Sequence, residues 1–174
     1  MPILIRDVRE PELDLVLALN NSAGPSILPM DAKKVRFFWN NADYFRVMEQ
    51  DEVVTGFLVG FSDKNTHDSP NFGWFRERHQ HFLYIDRIVI AAQRRGSGRG
   101  RAFYADAMSF AEPRWDKLCC EVFLGVGYDP ALLFHGSFGF REVGQQTMAV
   151  TNLRACMLMK DLCSHAWIAE TYGT

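Results

Sequence analysis

Apolar residues along the chain follow strand spacing in some stretches and helix spacing in others, and polar or glycine-rich stretches separate them. Runs rich in β-branched and aromatic residues predict strands at 3–6, 44–49, 53–61, 82–91, 118–124, 140–148 and 153–160. Apolar residues three or four positions apart predict helices that begin near Glu10, Asp31, Arg99 and Asp129. We therefore expect an α/β (α+β) fold, with a mixed central sheet of about six to seven strands flanked by about four helices.

The pattern is lost between residues 62 and 80, where Asp, Asn, Ser, Pro and Gly are frequent. Phe72, Trp74 and Phe75 are spaced through this stretch, which predicts a long loop with aromatic side chains. Two interpretations stay open. The loop is a functional lid that closes over a ligand, or its aromatic residues only hold it against the core.

The chain length of 174 residues suits one domain with a sizeable core, and 48% hydrophobic residues argue against disorder. We expect a single domain over residues 1–160, followed by a C-terminal tail at 161–174. The sequence leaves open whether this tail caps the core or pairs with a second subunit in a homodimer.

The formal net charge of −2 gives no reason to expect wholesale binding to nucleic acid or to a membrane. No run approaches the roughly 18 apolar residues of a membrane helix, and the first residues lack a signal peptide's apolar stretch, so we expect a cytoplasmic protein. Cys119 and Cys120 are neighbours on a predicted strand, and Cys156 and Cys163 show no metal-ligand spacing with a histidine. We expect four reduced thiols and no metal site.

Three glycines lie between a predicted strand and a predicted helix, at Gly96, Gly98 and Gly100. They let the backbone come close to a ligand, and the N–H groups of the loop and of the first helical turn direct positive partial charge at it. The spacing matches neither the P-loop nor the dinucleotide-binding fingerprint. Four arginines make the loop locally basic, as a phosphorylated ligand requires: Arg94, Arg95, Arg99 and Arg101.

The stretch 93–98, Gln-Arg-Arg-Gly-Ser-Gly, resembles the Gln/Arg-x-x-Gly-x-Gly/Ala motif of the GNAT superfamily of acyl-CoA-dependent N-acetyltransferases. A second stretch, 128–140, keeps four residues of that family's Asn-x-x-Ala-x-x-Phe-Tyr-x-x-x-Gly-Phe pattern: Ala131, Phe134, Gly139 and Phe140. The order of predicted elements is similar to the GNAT fold over nearly the whole chain. The resemblance implies an acyl-CoA-dependent N-acyltransferase (acetyltransferase) that uses acetyl-CoA as co-substrate and no metal.

The resemblance also implies which residues contact coenzyme A. Strand backbone at Ile88, Val89 and Ile90 would contact the pantetheine and thioester. The other residues that the two motifs assign to cofactor binding are Arg95, Gly96, Ser97, Gly98, Arg99, Gly100 and Phe134.

For the catalytic residues, two alternatives stay open at each position. His135 stands where the family commonly has tyrosine, so it is the candidate acid for the departing thiolate, or else a buried histidine packed beside Phe134. Asp86 is the candidate base, or else the partner of Arg87 in a structural ion pair. Tyr84 occupies the place where some family members have a glutamate, and a water chain would also remove the proton.

The expected reaction is direct attack by the primary amine of a small molecule on acetyl-CoA in a ternary complex. The charged residues of 62–80 cancel, which disfavours a polycationic acceptor. A protein N-terminus or lysine is the alternative acceptor. A non-catalytic acyl-CoA-binding module is a second alternative, motivated by Tyr128 and His135 at positions where the family commonly has Asn and Tyr. RNA binding by the Arg/Gly loop is disfavoured because the loop lies between a strand and a helix.

Overall fold

A computed structural model describes residues 2–96, 98–125 and 130–162. The strands are β1 (Leu4–Asp7), β2 (Tyr44–Gln50), β3 (Val53–Ser62), β4 (Phe82–Ile90), β5 (Lys117–Phe123), β6 (Arg141–Thr147) and β7 (Arg154–Asp161). The helices are α1 (Leu13–Asn21), α2 (Ala32–Asn41), α3 (Pro70–Arg76), α4 (Arg99–Ala111) and α5 (Pro130–Gly136). The strands form one mixed seven-stranded sheet in the order β1-β2-β3-β4-β5-β7-β6, which confirms the expected α/β fold.

The chain divides into two compact units. The first unit contains Met1–Asn65 and Ile85–Ser109, and the second contains Thr66–Tyr84 and Phe110–Thr174. The interpretation of residues 1–160 as one domain stays a prediction.

In the first unit, β1, β2 and β3 form an antiparallel meander. Asp51 and Glu52 connect β2 to β3 with φ angles of 57° and 63°, so two non-glycine residues adopt the left-handed conformation that a two-residue hairpin turn requires. The expected N-cap of α2 is confirmed, because the Asp31 carboxylate accepts a 2.8 Å hydrogen bond from the Lys34 N–H. The first predicted helix begins later than expected, since residues Glu10–Glu12 form a 3₁₀ turn before α1.

The close approach of β3 to β4 depends on a glycine. A Cβ atom at Gly56 would lie 2.5 Å from the Val89 carbonyl oxygen, which no side chain tolerates. The main-chain N–H of Ala91 donates to the Thr55 carbonyl at 2.8 Å and extends this contact past the end of β4. The end of β4 is therefore fixed in position where the glycine-rich loop begins.

In the second unit, β7 pairs antiparallel with both β5 and β6. Helix α3 packs its aromatic residues against the start of β4. The Phe72 and Tyr84 rings are 5.6 Å apart, and the Phe75 and Phe82 rings are 6.2 Å apart. These four side chains have no solvent-exposed area and form the aromatic core of the unit.

The expectation of a long loop at 62–80 is wrong. Ser62 ends β3, and α3 begins at Pro70 after an N-cap in which the Ser69 hydroxyl accepts from the Phe72 N–H at 3.4 Å. Phe72 and Phe75 lie in the core, so the alternative in which aromatic residues hold the segment in place is confirmed for both. The extra helix raises the count from about four to five.

Several predictions concern residues outside the described ranges. These are the N-cap role of Asp129, the family position of Tyr128, the cofactor contact of Ser97, the thiol of Cys163 and the tail beyond Leu162. Cys119, Cys120 and Cys156 are buried and not in disulfides.

Within the described ranges, none of the helices combines the length and the apolar character that crossing a membrane requires.

Candidate functional site

The loop between β4 and α4 is tied to the first unit by an arginine that is directed at main-chain carbonyl groups. Arg95 Nε donates to the Ile90 carbonyl at 3.1 Å, and its Nη2 donates to the Ala23 carbonyl at 2.7 Å. Charged donors make the stronger class of hydrogen bond, so these contacts hold the loop between the end of β4 and the segment after α1.

A second arginine closes the loop from its other end. Arg99 is the first residue of α4, and its guanidinium donates to the Arg94 carbonyl at 3.0 Å and to the Gln50 side-chain oxygen at 2.5 Å. Arg95 and Arg99, both expected to contact pyrophosphate, thus also determine the shape of the loop.

The glycines of the loop leave its surface open. Gly96 and Gly98 have φ angles of 79° and 78°, in the left-handed region that glycine adopts without strain. No atom lies within 4 Å of the position that a Cβ would take at either residue. The main-chain N–H groups of the first turn of α4 have no partner inside the helix, and the helix dipole adds positive potential there. The arrangement suits a bound phosphate group.

Helix α4 is anchored to β2 through one carboxylate. Asp106 accepts hydrogen bonds from the Tyr44 hydroxyl at 2.5 Å and from Arg46 Nη1 at 2.8 Å. Burial, and then the hydrogen bond to Asp106, raise the pKa of Tyr44 well above its usual value, so the phenol stays a donor. The helix that presents its N-terminus to the loop is therefore anchored near its middle.

The residues of β4 that precede the loop alternate in burial. Val89 is buried at 2% exposure, and Ile88 and Ile90 are half-buried. This agrees with the period-two pattern of a strand. The expected backbone contacts of these three residues with coenzyme A stay a prediction.

Asp86 lies beside Arg87 in an ion pair with an Oδ2–Nε distance of 2.7 Å, and the two side chains are only 5% and 12% exposed. Arg87 also donates to the Asn20 side-chain oxygen at 2.8 Å and lies 5.2 Å from the Phe38 ring centroid. The structural ion pair between Asp86 and Arg87, which the sequence left open as an alternative, is therefore present. A role of Asp86 as base stays a prediction.

A second carboxylate, which the sequence reasoning missed, lies in the second unit. The Tyr84 hydroxyl donates to Glu121 Oε2 at 2.7 Å, and Tyr84 is fully buried. The signal in the sequence was a single glutamate inside the apolar run of β5. A carboxylate on a core strand needs a partner, and Tyr84 supplies one.

His135 lies on α5 and is 7% exposed. Its Nδ1 is 2.7 Å from the Ala131 carbonyl oxygen, and because a carbonyl only accepts, Nδ1 carries a proton. The ring packs edge-on against Phe134 at 5.3 Å and Phe140 at 5.5 Å. The packing expected as the alternative is present. A role of His135 as the acid stays a prediction.

A pocket of about 410 Å³ lies beside α3 in the second unit. It is lined by α3, by the residues on either side of it and by Gln146 of β6. No cluster of three or more His, Cys, Asp or Glu side chains suited to a metal occurs within 2–96, 98–125 and 130–162.

Three solved structures are similar to this chain over most of its length. Ard1 from Thermoplasma volcanium has a TM-score of 0.75 and 15% identity, covering 92% of this chain and 98% of that one. The ribosomal-protein-alanine N-acetyltransferase from Brucella melitensis has a TM-score of 0.69 and 23% identity, covering 91% and 99%. The structure of yncA from Salmonella typhimurium, solved with acetyl-CoA, has a TM-score of 0.70 and 15% identity, covering 93% of this chain and 95% of that one.

A search of curated protein sequences finds no match. The model of the acetyltransferase (GNAT) family matches residues 13–140, a span that contains the glycine-rich loop, the Tyr84–Glu121 pair and His135. The chain therefore belongs to the GNAT acetyltransferase family.

Proposed function

We propose that this protein transfers the acetyl group of acetyl-CoA to the primary amine of a small molecule, by direct attack in a ternary complex. The observation that carries the proposal is the loop at Gly96 and Gly98, with left-handed glycines, open space above them and the N-terminus of α4 behind them. These features fit the pyrophosphate of coenzyme A, and Arg95 and Arg99 hold the loop in that shape.

Acetyl-CoA supplies an activated thioester, so the residues of this chain have to remove a proton from the amine and return one to the thiolate. We assign proton removal to Glu121, whose carboxylate is oriented by the 2.7 Å hydrogen bond from Tyr84. Asp86 is the weaker candidate because its Oδ2 is paired with Arg87.

We assign protonation of the thiolate to His135. The bond from Nδ1 to the Ala131 carbonyl fixes both the tautomer and the ring orientation, so a second proton enters and leaves at Nε2. Phe134 and Phe140 on the ring edges hold the imidazole in one rotamer, which supports a positioned acid rather than a mobile one.

The amino terminus of a protein is the second candidate acceptor. It is favoured by two similar structures, the ribosomal-protein-alanine N-acetyltransferase from Brucella melitensis at 23% identity and the ribosomal-protein-S18-alanine N-acetyltransferase from Escherichia coli at 15%. A small amine is favoured by the pocket beside α3, whose volume of about 410 Å³ suits a small molecule.

The buried thiols of Cys119, Cys120 and Cys156 support a place in the reducing cytoplasm.

The test is an acetyl-CoA assay that measures released thiol with small amines and with unstructured peptides at matched concentration. We expect turnover with small amines. Glu121→Gln and His135→Gln should each lower kcat by roughly 10²–10⁴-fold and leave the Kd for coenzyme A unchanged. Turnover with peptides alone would replace the small-amine acceptor by a protein terminus. Tight coenzyme A binding with no turnover for any amine would make the chain a non-catalytic binding module.

A further inference from the structure

The pocket beside α3 has a rigid wall. A Cβ atom added at Gly144 of β6 would lie 2.5 Å from Trp74 Cζ2, so the indole is seated directly on the strand. The Phe75 ring meets Trp74 edge-on at 5.2 Å, and the Arg78 guanidinium lies 4.5 Å from the Trp74 ring centroid. The indole is held from three sides, so this wall is formed before any ligand binds.

A second lining side chain is also fixed by the protein. Gln146, which lines the pocket, donates from Nε2 to Asn71 Oδ1 at 2.9 Å. Asn71 is 1% exposed and directs its own Nδ2 at Met148 Sδ, 3.7 Å away. This buried amide prevents Gln146 from turning away from α3.

At one end, the pocket offers hydrogen-bond donors. Arg78 Nη1 donates to the Trp74 carbonyl at 3.0 Å and to Glu77 at 3.1 Å. Within the described residues, Arg78 Nε and Nη2 and the indole N–H of Trp74 have no protein acceptor. Side chains lining a pocket with donors to spare fit a ligand carboxylate, which accepts several N–H bonds at once.

At the other end, the pocket offers the carboxylate of Asp68, which lies beside a buried histidine. His67 is buried, and its Nδ1 lies 3.7 Å from the Asp68 carboxylate, which is 82% exposed. Helix α3 separates this end from Arg78. Its seven residues span roughly 10 Å at about 1.5 Å per residue. The lining charges balance, since Asp68 and Glu77 face Arg76 and Arg78.

We propose that this pocket binds the acyl acceptor as an elongated zwitterion, an amine with a distant carboxylate. The carboxylate is held by Arg78 and the indole N–H of Trp74, and the ammonium group lies at Asp68. The α-amino and α-carboxylate groups of an amino acid are too close together to reach both ends, because they are attached to one carbon, so the amine has to lie several bonds from the carboxylate.

The inference rests on the proposed function, and one contact connects the two. The His67 ring, which lines the ammonium end, lies 6.1 Å from the Tyr84 ring, and Tyr84 donates to Glu121. The rings of His67 and Tyr84 therefore connect the ammonium end of the pocket to the proposed proton acceptor.

The first experiment measures binding without acetyl-CoA, by calorimetry with ε-aminocaproate as probe. Arg78→Gln removes the cation, and Arg114→Gln is the matched control. Arg114 also lies over an aromatic ring, 4.1 Å from the Phe110 centroid, and donates to the carbonyl four residues before it, but it does not line the pocket. We expect Arg78→Gln to weaken binding roughly 10- to 100-fold and Arg114→Gln to leave it within about twofold.

The second experiment compares ε-aminocaproate with hexylamine, which lacks the carboxylate, in the thiol-release assay. We expect Arg78→Gln to raise KM for ε-aminocaproate with kcat retained, and to leave hexylamine kinetics unchanged. The zwitterion site is overturned if Arg78→Gln raises KM equally for both amines, or if it does not weaken the binding of ε-aminocaproate in calorimetry. Neither result contradicts acetyl transfer itself. Binding that depends on Arg78 in a protein that acetylates no amine supports the site and overturns the proposed function.

Discussion

Replacing Gly98 by Asp places a negative charge where the loop should bind phosphate. The substitution is well suited to the site, because no atom lies within 4 Å of the new Cβ and the side chain meets no steric clash. The φ angle of 78° costs a non-glycine residue roughly 1 kcal/mol, and Asp is among the residues that tolerate this region best. The fold should therefore survive.

The effect on ligand binding should be larger than the effect on stability. Two unit charges about 5 Å apart repel by roughly 3 kcal/mol at an effective dielectric constant of about 20. This corresponds to about a 100-fold increase in the Kd for coenzyme A at 25 °C.

Gly98→Asn is the matched control, since Asn has nearly the same shape, tolerates the same φ and carries no charge. Calorimetry with coenzyme A should give a Kd for the Asp variant roughly 100-fold above that of the Asn variant, while both show the same thermal unfolding. The ratio of the two Kd values should fall as the salt concentration rises from about 0.1 M to 1 M, because the Debye length falls from about 10 Å to 3 Å. If the two variants bind coenzyme A within about threefold of each other, the phosphate does not lie at this loop.

Two further predictions concern stability. Gly144→Ala should lower the free energy of unfolding by about 1–3 kcal/mol, because the new methyl group overlaps Trp74. Denaturant unfolding measures this loss in wild type and in the Trp74→Leu variant. If Gly144→Ala costs the same free energy in both, the overlap with Trp74 is not its cause. The hydrogen bond from Arg6, followed by that from the Arg9 N–H, lowers the pKa of Glu12 from its usual 4.5 to about 2. The resulting stability is present above about pH 4.5 and lost as pH falls through about 2. The shift is worth about 3 kcal/mol before solvent screening and about 1–2 kcal/mol after it. The free energy of unfolding of Glu12→Gln should vary less between these pH values than that of wild type. If the unfolding free energies of both proteins change equally with pH, Glu12 is not the source of this stability.

The sequence by itself determined the elements whose cause is local. The predicted β4, glycine loop and α4 match the observed Phe82–Ile90 and Arg99–Ala111 within one or two residues. Strand alternation, a run of glycines and helical spacing are all properties of neighbouring residues, so no tertiary contact was needed to find them. The two motifs also sufficed for the family.

Helix α3 was not predicted, because the local sequence pattern indicated a loop. Its seven residues contain both Pro70 and Gly73, which the sequence signals as breaks. A helix this short is not stable by propensity alone, and it forms because Phe72 and Phe75 are buried against the start of β4.

The pairs that make up the site were decided only by the tertiary structure. Tyr84 and Glu121 are 37 positions apart in the chain, and Trp74 and Gly144 are farther apart still in sequence. Sheet order and register bring such residues together, and neither is encoded in the spacing of either partner. The sequence could name Tyr84 and His135 as candidates, but the hydrogen-bond partners that orient them follow from packing of segments distant in sequence.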